Sequence, residues 1–250
     1  MNNKDIKLTL VTVCRNSEST ISRTIKSIDK QIDKNFIHII IDGKSKDSTL
    51  DIINEFKANN RIVYSERDTG IYDAMNKGIY YCNTDYITFL NSDDYIDEFF
   101  VKNINKILDL NYDFIYSAVY AVRSNGNPKL YLPPELKSNF NYQCMPFPHP
   151  GLVVKKSLFQ EIGNFKLEYK YAADLEWILR LVSQKKYTSF RNITPNIYYT
   201  IGGAGNSLKS FSESIKIYKD YNTSYLFLFK KIIIGYLRFH LSKLKSEFKK

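Results

Sequence analysis

Residues 89–94 read Phe-Leu-Asn-Ser-Asp-Asp, and the adjacent carboxylates Asp93 and Asp94 are where this chain is best equipped for chemistry. Tyr86, Ile87, Phe89 and Leu90 lead into them as a β-favouring run, so the acids are expected at the rim of a sheet. In open α/β sheets the crevice beyond the strands' carboxyl ends is where ligands bind. Two like charges share a site at a cost unless a cation offsets them. Hard divalent ions such as Mg2+ or Mn2+ take oxygen ligands and bridge protein carboxylates to phosphates. An isolated Asp-Asp pair more often makes a polar turn that caps the next helix. Two further acids shift that balance. Asp42 follows the apolar run 36–41 and Asp68 follows a short strand around Val63, so successive strands each end in a carboxylate on one edge. Asp42 alone is more often a turn residue or cap.

The elements that must position these acids alternate along residues 1–110. Residues 7–13, 36–41, 61–65 and 86–90 read as strands, and 36–41 (FIHIII) is continuously apolar, as in a strand buried on both faces. Between them, 17–32, 47–57 and 71–81 carry apolar residues at helical spacing, with Ser17 and Ser48 or Asp47 as N-cap candidates. This order implies right-handed βαβ crossovers and a mainly parallel sheet. After residue 110 the pattern changes. Residues 113–122 and 129–132 read as a hairpin around 124–127, prolines at 133, 134, 146, 148 and 150 mark an irregular stretch, and a strong helix pattern returns at 172–182. Short strands near 187–190 and 196–200 and a glycine loop at 202–205 follow.

Residues 1–208 read as one domain, with a first half of about 1–110 and a second of about 111–208. Cys14, Cys82 and Cys144 form no CxxC pair, which argues for a reducing compartment and against a disulfide framework. No signal-peptide pattern and no apolar run of the roughly 20 residues that span a bilayer is visible, so the expected location is cytoplasmic. The net charge of +10 is uneven: residues 209–250 carry ten Lys and Arg against three acids.

The motifs, in order, resemble family 2 inverting glycosyltransferases of the GT-A fold, especially the colanic-acid and surface-polysaccharide biosynthesis subgroup. CRNSESTISRTIKSI is similar to the family's first turn and helix, DGKSKDST to its second-strand signature, and ERDTGIYDAMNKGI (66–79) to a long stretch of that subgroup. FLNSDD occupies the place of the DxD element, and HPG (149–151) and AADLEWILRL (172–181) resemble acceptor-side motifs. The likeness runs from about residue 7 to 207.

The resemblance implies an α/β fold with a Rossmann-like, mostly parallel sheet flanked by helices, and a division of labour among residues. Asp42 would accept a hydrogen bond from the donor base, expected to be uracil, with Asp68 beside it and Asn76 lining the nucleotide cleft. Asp93 and Asp94 would bind Mn2+ or Mg2+ and the ribose or diphosphate. Asn91 stands where the family often has Asp; its amide can still bond a ribose hydroxyl. Asp174 would be the catalytic base that deprotonates the acceptor hydroxyl, although the family's frequent Glu-Asp pair is Ala173-Asp174 in this chain. Without the resemblance, Asp174 reads as a first-turn acid favoured by the helix dipole. Glu176 is a weaker rival. Arg180 would reach a diphosphate or else stay solvated on its helix. His149 is either structural or part of the site, Trp177 fits core packing, and Gly203 sits in a loop able to close over a donor.

The implied activity is transfer of a hexosyl or N-acetylhexosaminyl group from a nucleotide-sugar donor, expected to be UDP-linked, to a glycan or polyprenol-linked saccharide in bacterial surface-polysaccharide assembly. The basic, aromatic segment 209–250 reads as an amphipathic helix that lies peripherally on an anionic membrane surface, or packs on the catalytic domain or a second subunit as a homo-oligomer contact. Nucleic acid is not an expected partner, because the charge avoids the α/β body. A nucleotidyltransferase and an inactive sugar-nucleotide-binding protein are the alternatives.

Overall fold

The computed structural model describes residues 6–123, 127–136, 145–202 and 207–221. The first half alternates β1 (Leu8–Cys14), α1 (Ile21–Asp29), β2 (Ile37–Asp42), α2 (Thr49–Glu55), β3 (Arg61–Ser65), α3 (Ile71–Tyr81) and β4 (Tyr86–Phe89). Then come β5 (Tyr95–Ile96), α4 (Phe100–Leu108), β6 (Phe114–Ser117), β7 (Val119–Val122), β8 (Lys129–Tyr131), β9 (Leu152–Lys155) and α5 (Lys156–Ile162). The described chain ends with α6 (Ala173–Ser183), β10 (Ser189–Asn192), β11 (Ile197–Thr200) and α7 (Leu208–Asp220).

Seven strands form the main sheet in the order β10-β6-β9-β4-β1-β2-β3. Its centre is parallel: Val11 of β1 lies opposite both Ile39 of β2 and Phe89 of β4. Every residue of β1 and β4 is buried, the composition that a sheet covered by helices on both faces requires. Only β9 runs against the rest, pairing antiparallel with β4 and with β6. Parallel pairing through β1 to β4 puts the polar ends of these strands along one edge. A second sheet, β5-β11-β7-β8, packs beside that edge.

The stretch 113–122, which reads as one strand, is two. It breaks at the fully buried Ala118, whose N–H donates to Asn192 O at 2.8 Å, and the chain passes there from the large sheet to the small one. The hairpin partner is as expected, with Val119 opposite Tyr131. Trp177 is fully buried, stacks on Phe159 with centroids 4.4 Å apart and donates to Gly163 O at 2.8 Å, as core packing demands.

Helix α7 runs across the boundary expected at 208/209. It begins at Leu208 and buries Ile217 and Tyr218 in the same apolar cluster as Trp177 and Leu181. A cut after residue 208 would remove two core side chains. Residues 222–250 lie outside the described residues. Among those described, no helix is long and apolar enough to cross a membrane.

One buried base makes stability pH-dependent. His38 is fully buried; its Nδ1 accepts from Arg61 Nε at 2.9 Å, which leaves the Nε2 proton to meet Thr12 Oγ1 at 3.1 Å. Burial, reinforced by the Arg61 charge, holds its pKa well below the ordinary 6.5. The unfolded chain therefore takes up a proton below that pH and the folded one does not. His38 thus leaves stability intact above about pH 6.5 and erodes it as pH falls, at about 1.4 kcal/mol per unit. Other groups titrate in this range, so the expected outcome is a difference: between pH 6.5 and 5.5, urea titrations show the wild-type chain losing about 1 kcal/mol relative to His38→Gln; equal slopes in the two chains would remove the assignment to His38.

Candidate active site

The strand ends open into a cleft of about 860 Å³, bounded by the turns after β1 and β4, the start of α3, the 145–150 stretch, the start of α6 and the end of β11. Asp68, Asn91, Asp93, Asp94, His149 and Asp174 line it; Asp42, Asn76 and Arg180 do not.

Asp42 ends β2 fully buried. Its carboxylate accepts Ser65 Oγ at 2.7 Å and the Ser45 N–H at 3.2 Å, along with the Ser45 hydroxyl. It orders the 42–45 turn from beneath. Asp68 occupies the cleft side instead, close over Gly43, where a Cβ would fall 2.0 Å from Asp68 Oδ2 and push the Asp68 carboxylate aside. Asp68 accepts the Gly70 N–H at 3.0 Å and lies 3.8 Å from the Arg15 guanidinium. Burial raises its pKa, against the pull of that N–H and of Arg15 and Lys77. Gly70 starts α3 with φ 144, a conformation side chains rarely tolerate.

The acid pair follows β4 in a turn closed by Asp94 N–H to Asn91 O at 3.1 Å. Thr24 of α1 donates to Asp94 O at 2.7 Å and Thr200 of β11 donates its N–H to Asp94 Oδ1, also at 2.7 Å. Asp94 is 3% exposed. Burial and then the Asp93 charge push its carboxyl up to about 7, opposed by the Thr200 N–H, Arg23 and Asn91. Burial likewise raises Asp93. Asn91 hydrogen-bonds Asp94, which leaves its own Oδ1 buried without a partner. Among the described residues no cluster of three or more metal-ligating side chains exists. Two carboxylates short of positive charge beside a free amide oxygen nevertheless fit a hard cation that completes its shell with substrate phosphate and water.

Across the cleft, Asp174 sits in the first turn of α6 and accepts the Tyr72 hydroxyl at 2.7 Å. Burial and the Asp174 charge hold that phenol protonated, well above its usual range. His149 is 6% exposed among Phe89 and Phe165, with ring centroids 5.6 and 6.1 Å away. Burial lowers its pKa while Asp174 pulls the other way, so it enters the site as a neutral ring.

Asn76 and Arg180, expected at the site, and the rival base Glu176 make their bonds outside the cleft. Asn76 clamps α3 to the chain before α6, donating to Phe165 O at 2.9 Å and accepting Phe165 N–H at 3.1 Å. Arg180 pairs with the buried Glu176 at 2.9 Å and donates to Asn164 O at 2.8 Å and to Ile162 O. Glu176 also meets Lys166 at 2.9 Å, and the cleft does not reach it. Gly203 lies outside the described residues; Gly202, next to it, lines the cleft. Arg15, Tyr72, Lys170 and Thr200 line the cleft and were not singled out by sequence. The only cue for Tyr72 was its place inside the 66–79 motif.

A PGL/p-HBAD biosynthesis glycosyltransferase of Mycobacterium bovis is 26% identical to this chain over 206 residues, covering 77% of each. Two solved structures share the fold. Staphylococcus aureus TarS 1–349 in complex with UDP-GlcNAc aligns with TM-score 0.69 at 19% identity, over 84% of this chain and 64% of that one. The mannosyltransferase PcManGT of Pyrobaculum calidifontis, in complex with GDP-Man and Mn2+, aligns with TM-score 0.65 at 12% identity, over 92% and 69%. The chain thus spans less than two thirds of the TarS fragment. Residues 9–163 match Glycosyl transferase family 2, and the protein belongs to that family.

Proposed function

We propose that the protein transfers a sugar from a UDP-linked donor to an acceptor hydroxyl in one inverting displacement, with Asp174 as general base. The observation that carries this reading is that Asp174, held by Tyr72, and the Asp93–Asp94 pair line one cleft. The acceptor hydroxyl gives its proton to Asp174 as its oxygen attacks the anomeric carbon, on the face opposite the departing nucleoside diphosphate. Tyr72 donates to one carboxylate oxygen and leaves the other to take the proton. Asp68 and Arg15 face the donor base and ribose, with Asp42 ordering the turn beneath. Asp93 and Asp94 would hold Mn2+ or Mg2+, which when bound supplies charge opposite the diphosphate.

The UDP-GlcNAc complex of TarS supports a uridine donor, and the Mn2+ in the PcManGT complex supports a divalent ion. A surface glycan or polyprenol-linked saccharide is the acceptor class, and the basic C-terminal segment suits an anionic membrane face. Flotation of the full chain with anionic vesicles, lost at high salt, is the expected result for that segment; equal recovery with neutral vesicles would remove it.

Release of nucleoside diphosphate from a panel of UDP- and GDP-sugars identifies the donor. In calorimetry, Asp93→Asn and Asp94→Asn are each expected to weaken UDP binding in Mn2+ by at least the roughly tenfold typical of a disturbed metal site. Unchanged binding in the double variant would remove the assignment. Asp174→Asn is expected to leave that binding intact and cut turnover by roughly a hundredfold or more. Near-normal turnover, or retained anomeric configuration by NMR, would sink the mechanism.

A further inference from the structure

The carboxylate of Glu213, on α7, gathers three consecutive backbone N–H groups: Lys170 at 2.9 Å, Tyr171 at 2.7 Å and Ala172 at 3.0 Å. These residues run straight into α6, whose first turn carries Asp174. Helix starts leave N–H groups without internal partners, and α6 has no side-chain cap of its own: Ala172 stands at its boundary with φ −143 and ψ 24. Ionised acceptors make the stronger hydrogen bonds. One oxygen of Glu213 takes Lys170 and the other takes both Tyr171 and Ala172, so neither is replaceable by an amide nitrogen.

The rest of α7 holds Glu213 in place. Ile217 and Tyr218 are buried in the core, and Ser210 Oγ reaches Tyr171 O at 3.5 Å. The charge of Glu213 is felt at the Tyr72 hydroxyl, which itself bonds Asp174. Asp174 is therefore located from two sides: by Tyr72 at its carboxylate, and through the backbone that enters its helix. Lys170 and Tyr171 also line the cleft.

We propose that Glu213 is a positioning residue of the transfer reaction, setting where the first turn of α6 presents Asp174 to the acceptor hydroxyl. The inference rests on Asp174 being the general base. It makes α7 part of the catalytic apparatus rather than the root of an appendage. Misplacing a catalytic group by about 1 Å can cost roughly a hundredfold in rate, so loosening the approach to α6 should be visible in turnover.

The test compares the full chain with Glu213→Gln, Asp174→Asn and the double variant. Amide hydrogen exchange at 170–172 is read alongside steady-state release of nucleoside diphosphate from the donor that the panel identifies. In Glu213→Gln, exchange at 170–172 is expected to quicken and kcat to fall about tenfold with donor KM unchanged. The double variant is expected to be no slower than Asp174→Asn alone, because both changes act through one group. Unchanged kcat in Glu213→Gln, or a further tenfold loss in the double variant, overturns the proposal while leaving the base assignment standing. Full turnover in Asp174→Asn sinks the base assignment and the proposal with it. Should Glu213→Gln prove too unstable to purify, Glu213→Asp, which withdraws both oxygens by one methylene, is read the same way.

Discussion

A carboxylate buried in the turn between β4 and β5 organises this site. Asp94 is out of water with another acid beside it, and burying a charge is costly unless hydrogen bonds and opposite charge surround it. The donors come from three separate places: Thr24 on α1 takes its carbonyl, Thr200 on β11 donates to its carboxylate, and Asn91 bonds it from its own turn. Satisfying one residue therefore draws the small sheet and the first helix against the rim of the large sheet. Arg23 adds a guanidinium that reaches Asp93 O and lies 4.8 Å from the Tyr95 ring centroid. Even so burial, and then the Asp93 charge, push the carboxyl up to about 7. The cleft opens where the turn after β4 meets the end of β11.

Burial does not separate the acids that line the cleft from those that do not; partners do. Asp42 and Glu176 are buried and fully engaged, the first by the serines at 45 and 65, the second by Lys166 and Arg180. Asp68, Asp93, Asp94 and Asp174 line the cleft. A sequence records all of these as acids at strand or helix ends. What it does not record is which of them finds serine hydroxyls or guanidinium groups on the neighbouring element.

Local periodicity made the first half legible. Strand β3 and helix α3 have the boundaries their patterns imply, and β2 and β4 differ by a residue at their ends. The second half was harder, because β9 is only four residues long and inserts between β6 and β4, the latter more than sixty residues away, a pairing that no local pattern encodes. Asn76 and Arg180 fall outside the cleft through distance along a helix. Arg180 lies six positions after Asp174, roughly 9 Å further along the axis, and Asn76 a full turn beyond Tyr72. A motif marks that such residues matter without saying that the cleft ends before it reaches them. Tyr72 was missed for the converse reason: at helical spacing a tyrosine looks like core, and only α6, a hundred residues later, reveals the partner of its hydroxyl.

The C-terminal charge shows how composition and packing answer different questions. Counted by sequence, the surplus begins at Lys209. Within α7, however, charged side chains turn to the catalytic domain. Lys209 lies 6.0 Å from the Tyr171 ring centroid and Lys216 5.3 Å from that of Tyr169. Glu213 binds the backbone at 170–172, and Asp220 takes the Tyr169 hydroxyl at 3.4 Å. The charges of α7 thus order the chain that enters α6. What is left for an anionic surface is the composition of residues 222–250, seven Lys and Arg against one acid. The proposed membrane role rests on that composition alone, and α7 is not part of it.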